Sequence, residues 1–154
     1  MIDGVIPVKI STRGRYALRM MLGMARHQHL GAVALKDIAA RQDISKKYLE
    51  QIALVLSQAG VLQGSRGHQG GYRMLGHPSD YTVYQILRLM EGSLSPVACL
   101  DHKPNTCPRQ DQCQTLFIWE ELDRRIEEYL SSITLQDILD RSEHMGYGEV
   151  GCDI

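Results

Sequence analysis

Apolar side chains at Tyr16, Ala17, Met20, Met21 and Met24 recur every three to four residues, the spacing that holds one face of a helix against a core. Ser11 or Thr12 stands where a hydroxyl would cap that helix, and Gly31 breaks the pattern. A second, short helix is predicted from Leu35 to Gln42, with Leu35, Ile38 and Ala39 on one face. Asp43-Ile44 then makes a tight turn, and Ser45 is placed to cap a third helix from Lys46 to Gln58. In that helix Leu49, Ile52, Ala53 and Leu56 form the buried stripe. Two helices across a tight turn, with small Ala39 at their crossing, have the form of a helix-turn-helix.

Beyond Gly60 the period changes. Val61-Leu62 and Gly71 to Leu75 read as short strands around a glycine-rich loop, Gln63 to Gly70, that is expected to be mobile. A hairpin directly after a helix-turn-helix is a wing, and Gly70-Gly71 turns the chain back into its second strand. Thr82 opens a helix through Val83, Ile86, Leu87 and Met90 that ends at Gly92. A proline-bearing loop, Ser93 to Gln114, precedes the longest helical pattern, in which Trp119, Leu122, Ile126, Tyr129, Leu130 and Ile133 make an apolar stripe beside acidic residues. Thr134 caps a last short helix with Leu135, Ile138 and Leu139, and the tail from Glu143 is expected to be loose.

The apolar fraction of 44% is that of an ordinary globular chain, and no apolar run is long enough to span a bilayer. Without a signal-peptide pattern at Met1 to Gly4, a cytoplasmic protein is expected, in which structural disulfides are disfavoured. Charge alters the picture more. The net charge is −1, yet Lys9 to Leu75 carries an excess of eight positive charges and Gly76 to Ile154 an excess of eight negative ones. A basic half suits a polyanion, and the acidic half calls for something else.

The third helix presents Lys46, Lys47, Tyr48, Glu50 and Gln51 near its N-terminus, where a helix in the major groove meets base edges. Gln51 can pair with adenine, Lys47 with guanine or phosphate. Glu50, repelled by phosphates unless it accepts from cytosine, is a candidate for sequence discrimination. Arg66, among wing glycines, is placed to enter a narrow minor groove. Ser11 and Arg13, at the start of the first helix, complete the DNA-contacting set.

Of four cysteines, Cys99, Cys107 and Cys113 share one loop at C-x7-C-x5-C spacing, and Cys152 stands apart as a free thiol. No C-x-x-C occurs, so thioredoxin-like exchange and common zinc-finger spacings fit poorly. Three thiolates suit a soft metal or an iron–sulfur cluster that lacks a fourth ligand from the same loop. Of the histidines only His102 lies among them.

These residues carry a resemblance. Lys9-Ile10-Ser11-Thr12-Arg13-Gly14-Arg15-Tyr16-Ala17, Ile44-Ser45 with Tyr48-Leu49-Glu50-Gln51, and Arg66-Gly67 with Gly70-Gly71-Tyr72 resemble the IscR-type family of bacterial winged-helix regulators. The cysteine loop and Ile133-Thr134-Leu135 extend it, so that it spans Lys9 to Arg141. The resemblance implies a homodimer on double-stranded operator DNA, and an iron–sulfur cluster on Cys99, Cys107 and Cys113, with 2Fe–2S favoured over 4Fe–4S. It also implies control of cluster-assembly genes, with the assembly machinery a candidate partner; the related NsrR branch implies a response to nitric oxide. The family pattern has a shorter gap between the first two cysteines than the seven residues here, and a histidine where this chain has Leu116. The acidic residue of the NsrR first helix is matched by Arg15. The fourth ligand stays open among Asp101, His102, Asp111, Cys152 and a residue of a second subunit.

The fold expected is mainly α: a winged helix-turn-helix over residues 9–92, a cysteine loop over 93–115, and a long dimerisation helix with a short final helix over 116–141. The function expected is a non-enzymatic, cluster-sensing repressor-type regulator without membrane attachment. A zinc or thiol switch without a cluster is the alternative. A small redox enzyme using Cys99 or Cys107 would leave the basic half unexplained.

Overall fold

The computed structural model describes residues 9–147, so Met1 to Pro7 and Cys152 lie outside the described residues. Helix α1 (Thr12–His27) leads through a short 3₁₀ turn to α2 (Leu35–Gln42) and α3 (Lys46–Gln58). Strands β1 (Leu62–Ser65) and β2 (Gly71–Met74) follow, then α4 (Val83–Glu91), α5 (Leu116–Ser131) and α6 (Leu135–His144). Of the two hydroxyls available to cap α1, Ser11 does so, accepting from the Gly14 N–H.

Met20, Met21 and Met24 of α1 are fully buried together with Leu49, Ile52 and Leu56 of α3, Ile38 of α2, Ile86 of α4 and Leu135 of α6. Unbranched methionine adapts to irregular gaps, which suits a helix touched from several sides. Asp43 ends α2 in the left-handed region at φ 52°, a conformation aspartate tolerates, and this reverses the chain into α3. Ser45 sits at the start of α3 but makes no side-chain cap bond, unlike the expectation; it is exposed, and water can serve the first N–H groups.

The wing is longer than the apolar pattern suggested. β1 runs from Leu62 to Ser65 because its ladder continues across Gln63↔Arg73, Gly64↔Tyr72 and Ser65↔Gly71. Only residues 66–70 form the tip, where Gly67 adopts φ 107°. Val33 and Tyr72 exchange backbone hydrogen bonds of 2.8 and 2.9 Å, stitching the chain before α2 to the wing. A Cβ at Gly71 would collide with the Val33 carbonyl, so glycine is required at this approach.

The acidic half folds back onto this body. Thr82 and Thr134 pair as an isolated antiparallel bridge, with Val83 N–H donating to Ile133 and Leu135 N–H to Tyr81. Both threonines close capping boxes, with Gln85 and Asp137 as partners. Helix α6 extends to His144, past the point where a loose tail was expected, with Arg141 and His144 in its last turn opposite the helix dipole.

The Thr134 N–H and hydroxyl hold Asp137 below its ordinary pKa. A depressed carboxylate contributes stability above its unfolded pKa and loses it as pH falls through the folded value. Asp137→Asn should therefore melt below the parent at neutral pH. The gap should close as the medium is acidified into the range where Asp137 protonates, as melting curves at a series of pH values will show.

Candidate nucleic-acid interface and cysteine loop

Lys46, Lys47, Glu50 and Gln51 are all exposed on the first turns of α3, as an apolar stripe on the opposite face requires. Lys46 and Glu50 form an i,i+4 ion pair at 3.3 Å, so the one carboxylate on this face is held by a neighbouring cation. Tyr48 is not free in the same way. It is half-buried, with its ring edge-on to Tyr16 of α1 at 5.7 Å. Tyr16, Asp43, Ile44, Ser45, Lys47, Tyr48 and Gln51 line an open hollow beside the start of α3.

Arg66 is exposed at the tip of the wing, as its glycine neighbours implied. Across the hairpin Arg73 donates to Gln63 at 3.1 Å. Arg13 is half-buried on the first turn of α1. The Ser11 hydroxyl accepts from Gly14 and donates to Glu91 of α4, so it holds the start of α1 against α4. Charge arithmetic alone had no way to find that engagement, because Glu91 is eighty residues away.

The cysteine loop is built from short turns, 98–100 and 110–112, between α4 and α5. Cys99 lies in the first turn and is half-buried. Cys107 is half-buried too, its backbone N–H donating to Asn105 Oδ1 at 2.8 Å; Asn105 Nδ2 is buried with no partner among the described residues. Cys113 is exposed, and its thiol is held below the ordinary range by the Thr115 hydroxyl and then the Thr115 backbone. The donor chemistry suits iron and sulfide. Among the described residues no group of three or more His, Cys, Asp or Glu side chains is gathered as a metal site. Cys99 sits within the 98–100 turn, whereas Cys107 precedes the 110–112 turn and Cys113 follows it.

Helix α5 buries none of its residues within the chain. The single stripe read from the sequence divides into two. Trp119, Ile126 and Leu130 are half-buried on one side, where α5 meets α4 and the 98–100 turn. Leu122 and Tyr129 are exposed, and so are Phe117 and Ile118. Ile118, Leu122 and Tyr129 line up about a quarter of the way round the helix from the half-buried face. On its polar side Arg124 bridges Glu121 and Glu128, and these guanidinium contacts with Arg124 and Arg125 draw Glu121 down to about 2.

No helix among the described residues is long and apolar enough to cross a membrane. Comparison with known proteins agrees with the geometry. Protein rrf2 of Nitratidesulfovibrio vulgaris is 38% identical over 132 residues, covering 86% of this chain and 87% of that protein. The HTH-type transcriptional regulator IscR of Vibrio atlanticus is 35% identical over 136 residues, covering 88% and 78%. Among solved structures, T. potens IscR superposes with a TM-score of 0.74 at 39% identity, covering 92% of this chain and 93% of that one. CymR, the global cysteine regulator of B. subtilis, does so with a TM-score of 0.70 at 34% identity, covering 86% and 97%. With residues 10–141 matching its profile, the chain belongs to the Rrf2 family, described as iron-dependent transcriptional regulators, and its function is DNA-binding regulation of transcription, not catalysis.

Proposed function

We propose that this regulator binds operator DNA as a homodimer and that its cysteine loop is the sensing element. The carrying observation is the pairing of an exposed recognition face on α3, beside an arginine-tipped wing, with a three-cysteine loop that runs directly into α5. Lys46, Lys47, Glu50 and Gln51 read the major groove, Tyr48 braces that face, and Arg66 reaches the minor groove. Arg13 lies on the phosphate side at the start of α1, and Ser11 fixes that start.

The dimer follows from α5. A 16-residue helix with an exposed apolar stripe needs a partner, and a second copy supplies the same stripe. Two helix-turn-helix units must also sit one DNA turn apart, roughly 34 Å, which a shared long helix can set.

For the signal, an iron–sulfur cluster on Cys99, Cys107 and Cys113, of 2Fe–2S type, is supported by the iron-dependent description of the family and by the donor set. The resemblance to IscR-type regulators supports cluster-assembly genes as targets and their machinery as a partner; a nitric-oxide response is the NsrR-like variant. The second reading is a zinc or thiol switch without a cluster, and the observation that favours its thiol form is Cys113, exposed and with its thiol held below the ordinary range by Thr115. Iron and sulfide analysis with a visible spectrum, on protein purified anaerobically, separates them. Brown protein carrying iron and sulfide supports the cluster; colourless protein without iron supports the switch.

Arg66→Ala should cost about 1–3 kcal/mol of operator binding, and Lys47→Ala should lower the salt slope by about one, both read from titrations at several salt concentrations. Unchanged binding in both variants would remove α3 and the wing from the interface.

Ile126, which the apolar pattern placed in the seam, is half-buried within the chain, so the sharper dimer test is Leu122. Leu122→Asp should sediment as a monomer and bind operator weakly; a stable dimer would place the interface elsewhere.

Cys107→Ala should fold and dimerise yet lose the visible absorbance of the anaerobic protein. Retention of the full spectrum would take Cys107 out of the ligand set.

A further inference from the structure

The turn of a helix-turn-helix joins its two helices at a defined angle. Here α2 ends at Gln42, and the chain passes into α3 through a single left-handed residue, Asp43. The last carbonyls of a helix lack intrahelical donors, so the Gln42 carbonyl needs a partner from elsewhere. Arg19 of α1 supplies one. Its guanidinium NH2 donates to the Gln42 carbonyl at 2.6 Å, and its Nε donates to Gln42 Oε1 at 2.9 Å. Gln42 itself is only 6% exposed, the one buried polar or charged side chain among the described residues.

The same guanidinium stands 5.4 Å from the centre of the Tyr16 ring, one helical turn earlier on α1. Tyr16 in turn meets Tyr48 on the first turn of α3 edge-to-face. Two neighbouring side chains of α1 thus reach both sides of the turn: Arg19 holds the end of α2, and Tyr16 holds the start of α3. Resting on the DNA-binding reading above, we propose that Arg19, through Gln42, is a positioning residue for sequence-specific DNA recognition, setting the attitude of α3 without itself touching DNA.

The fork matters more than the charge. An arginine can donate to a carbonyl and an amide oxygen at once from one rigid plane, whereas lysine presents a flexible point charge. This separates the proposal from the two simpler roles Arg19 could have. A phosphate contact would be kept largely by lysine and would leave a signature in the salt slope. A purely structural contact would lower the folded population without changing what the folded protein prefers.

The test uses the whole chain and a duplex that the parent protein selects from random sequence, with a scrambled duplex as the non-specific probe. Arg19→Lys, Arg19→Met, Gln42→Leu and the Arg19→Met/Gln42→Leu double variant are titrated with both duplexes at several salt concentrations, and each is melted. Expected for each single variant is a fall in specific affinity on the order of tenfold, comparable to losing one good base contact. Binding to the scrambled duplex and the salt slope of Arg19→Lys should remain at parent values. The double variant should lose no more than the worse single, the mark of two residues acting as one unit.

Parent-like preference in Arg19→Lys, with Arg19→Met losing both duplexes and about one unit of salt slope, would overturn the proposal in favour of a phosphate contact. So would lower melting temperatures with an unchanged preference for the selected duplex. If the parent protein prefers no selected duplex at all, the DNA-binding reading falls and takes this inference with it.

Discussion

Burial of one face of α1 is the constraint on which the other elements depend. Met20, Met21 and Met24 have no exposed surface, and α1 packs against α2, α3, α4, α6 and β2. Removing apolar surface from water at about 25 cal/mol per Å² makes such a face expensive to uncover, so each neighbour is held in place chiefly by what it covers on α1. Helix α3, the wing and the returning α6 therefore share one core. A shift of α1 would be felt by all of them, because close-packed interiors transmit strain instead of absorbing it.

Polar contacts on α1 refine what the apolar face fixes. At its start Ser11 joins it to Glu91 of α4; near its middle Tyr16 and Arg19 reach α3 and α2. The Thr82–Thr134 bridge ties the end of α5 and the start of α6 to the same body. The beginning of α5 at Leu116 comes just after Cys113, so this helix has one end secured to the body built on α1 and the other at the cysteine loop. For the proposed sensing, a loop change that biases α5 by only about 1–3 kcal/mol would alter operator affinity 5- to 150-fold.

The division of charge acquires a spatial meaning in this arrangement. Exposed cations on α3 and the wing tip face outward without a dense set of acidic neighbours, a distribution that attracts a polyanion. Two acidic residues of α5 are instead engaged within the helix, Glu121 and Glu128 by Arg124 and Glu121 again by Arg125, and Glu127 pairs with Lys103 of the cysteine loop. Such exposed pairs add little stability, but they leave the apolar stripe of α5 beside a polar flank that stays hydrated when the stripe is covered.

Much of this was legible in the residues alone. Periodicity marked the six helices, because an amphipathic segment records its own buried face. The turn at Asp43, the wing glycines and the caps at Ser11, Thr82 and Thr134 were legible because turn and cap chemistry is local. The exposed face of α3 followed by elimination from its buried stripe. Contacts between distant residues were not legible. No spacing announces that Ser11 meets Glu91, that Arg19 clamps Gln42, or that the stripe of α5 divides between α4 and open surface. The same limit applied to the cysteines: their spacing recorded a set of donors with the right chemistry, while how far the loop brings them together is decided by its fold, which among the described residues gathers no group of three. Local sequence sets the conformation and polarity of each element, but which side chains meet depends on how the elements pack, and only the tertiary structure decides that.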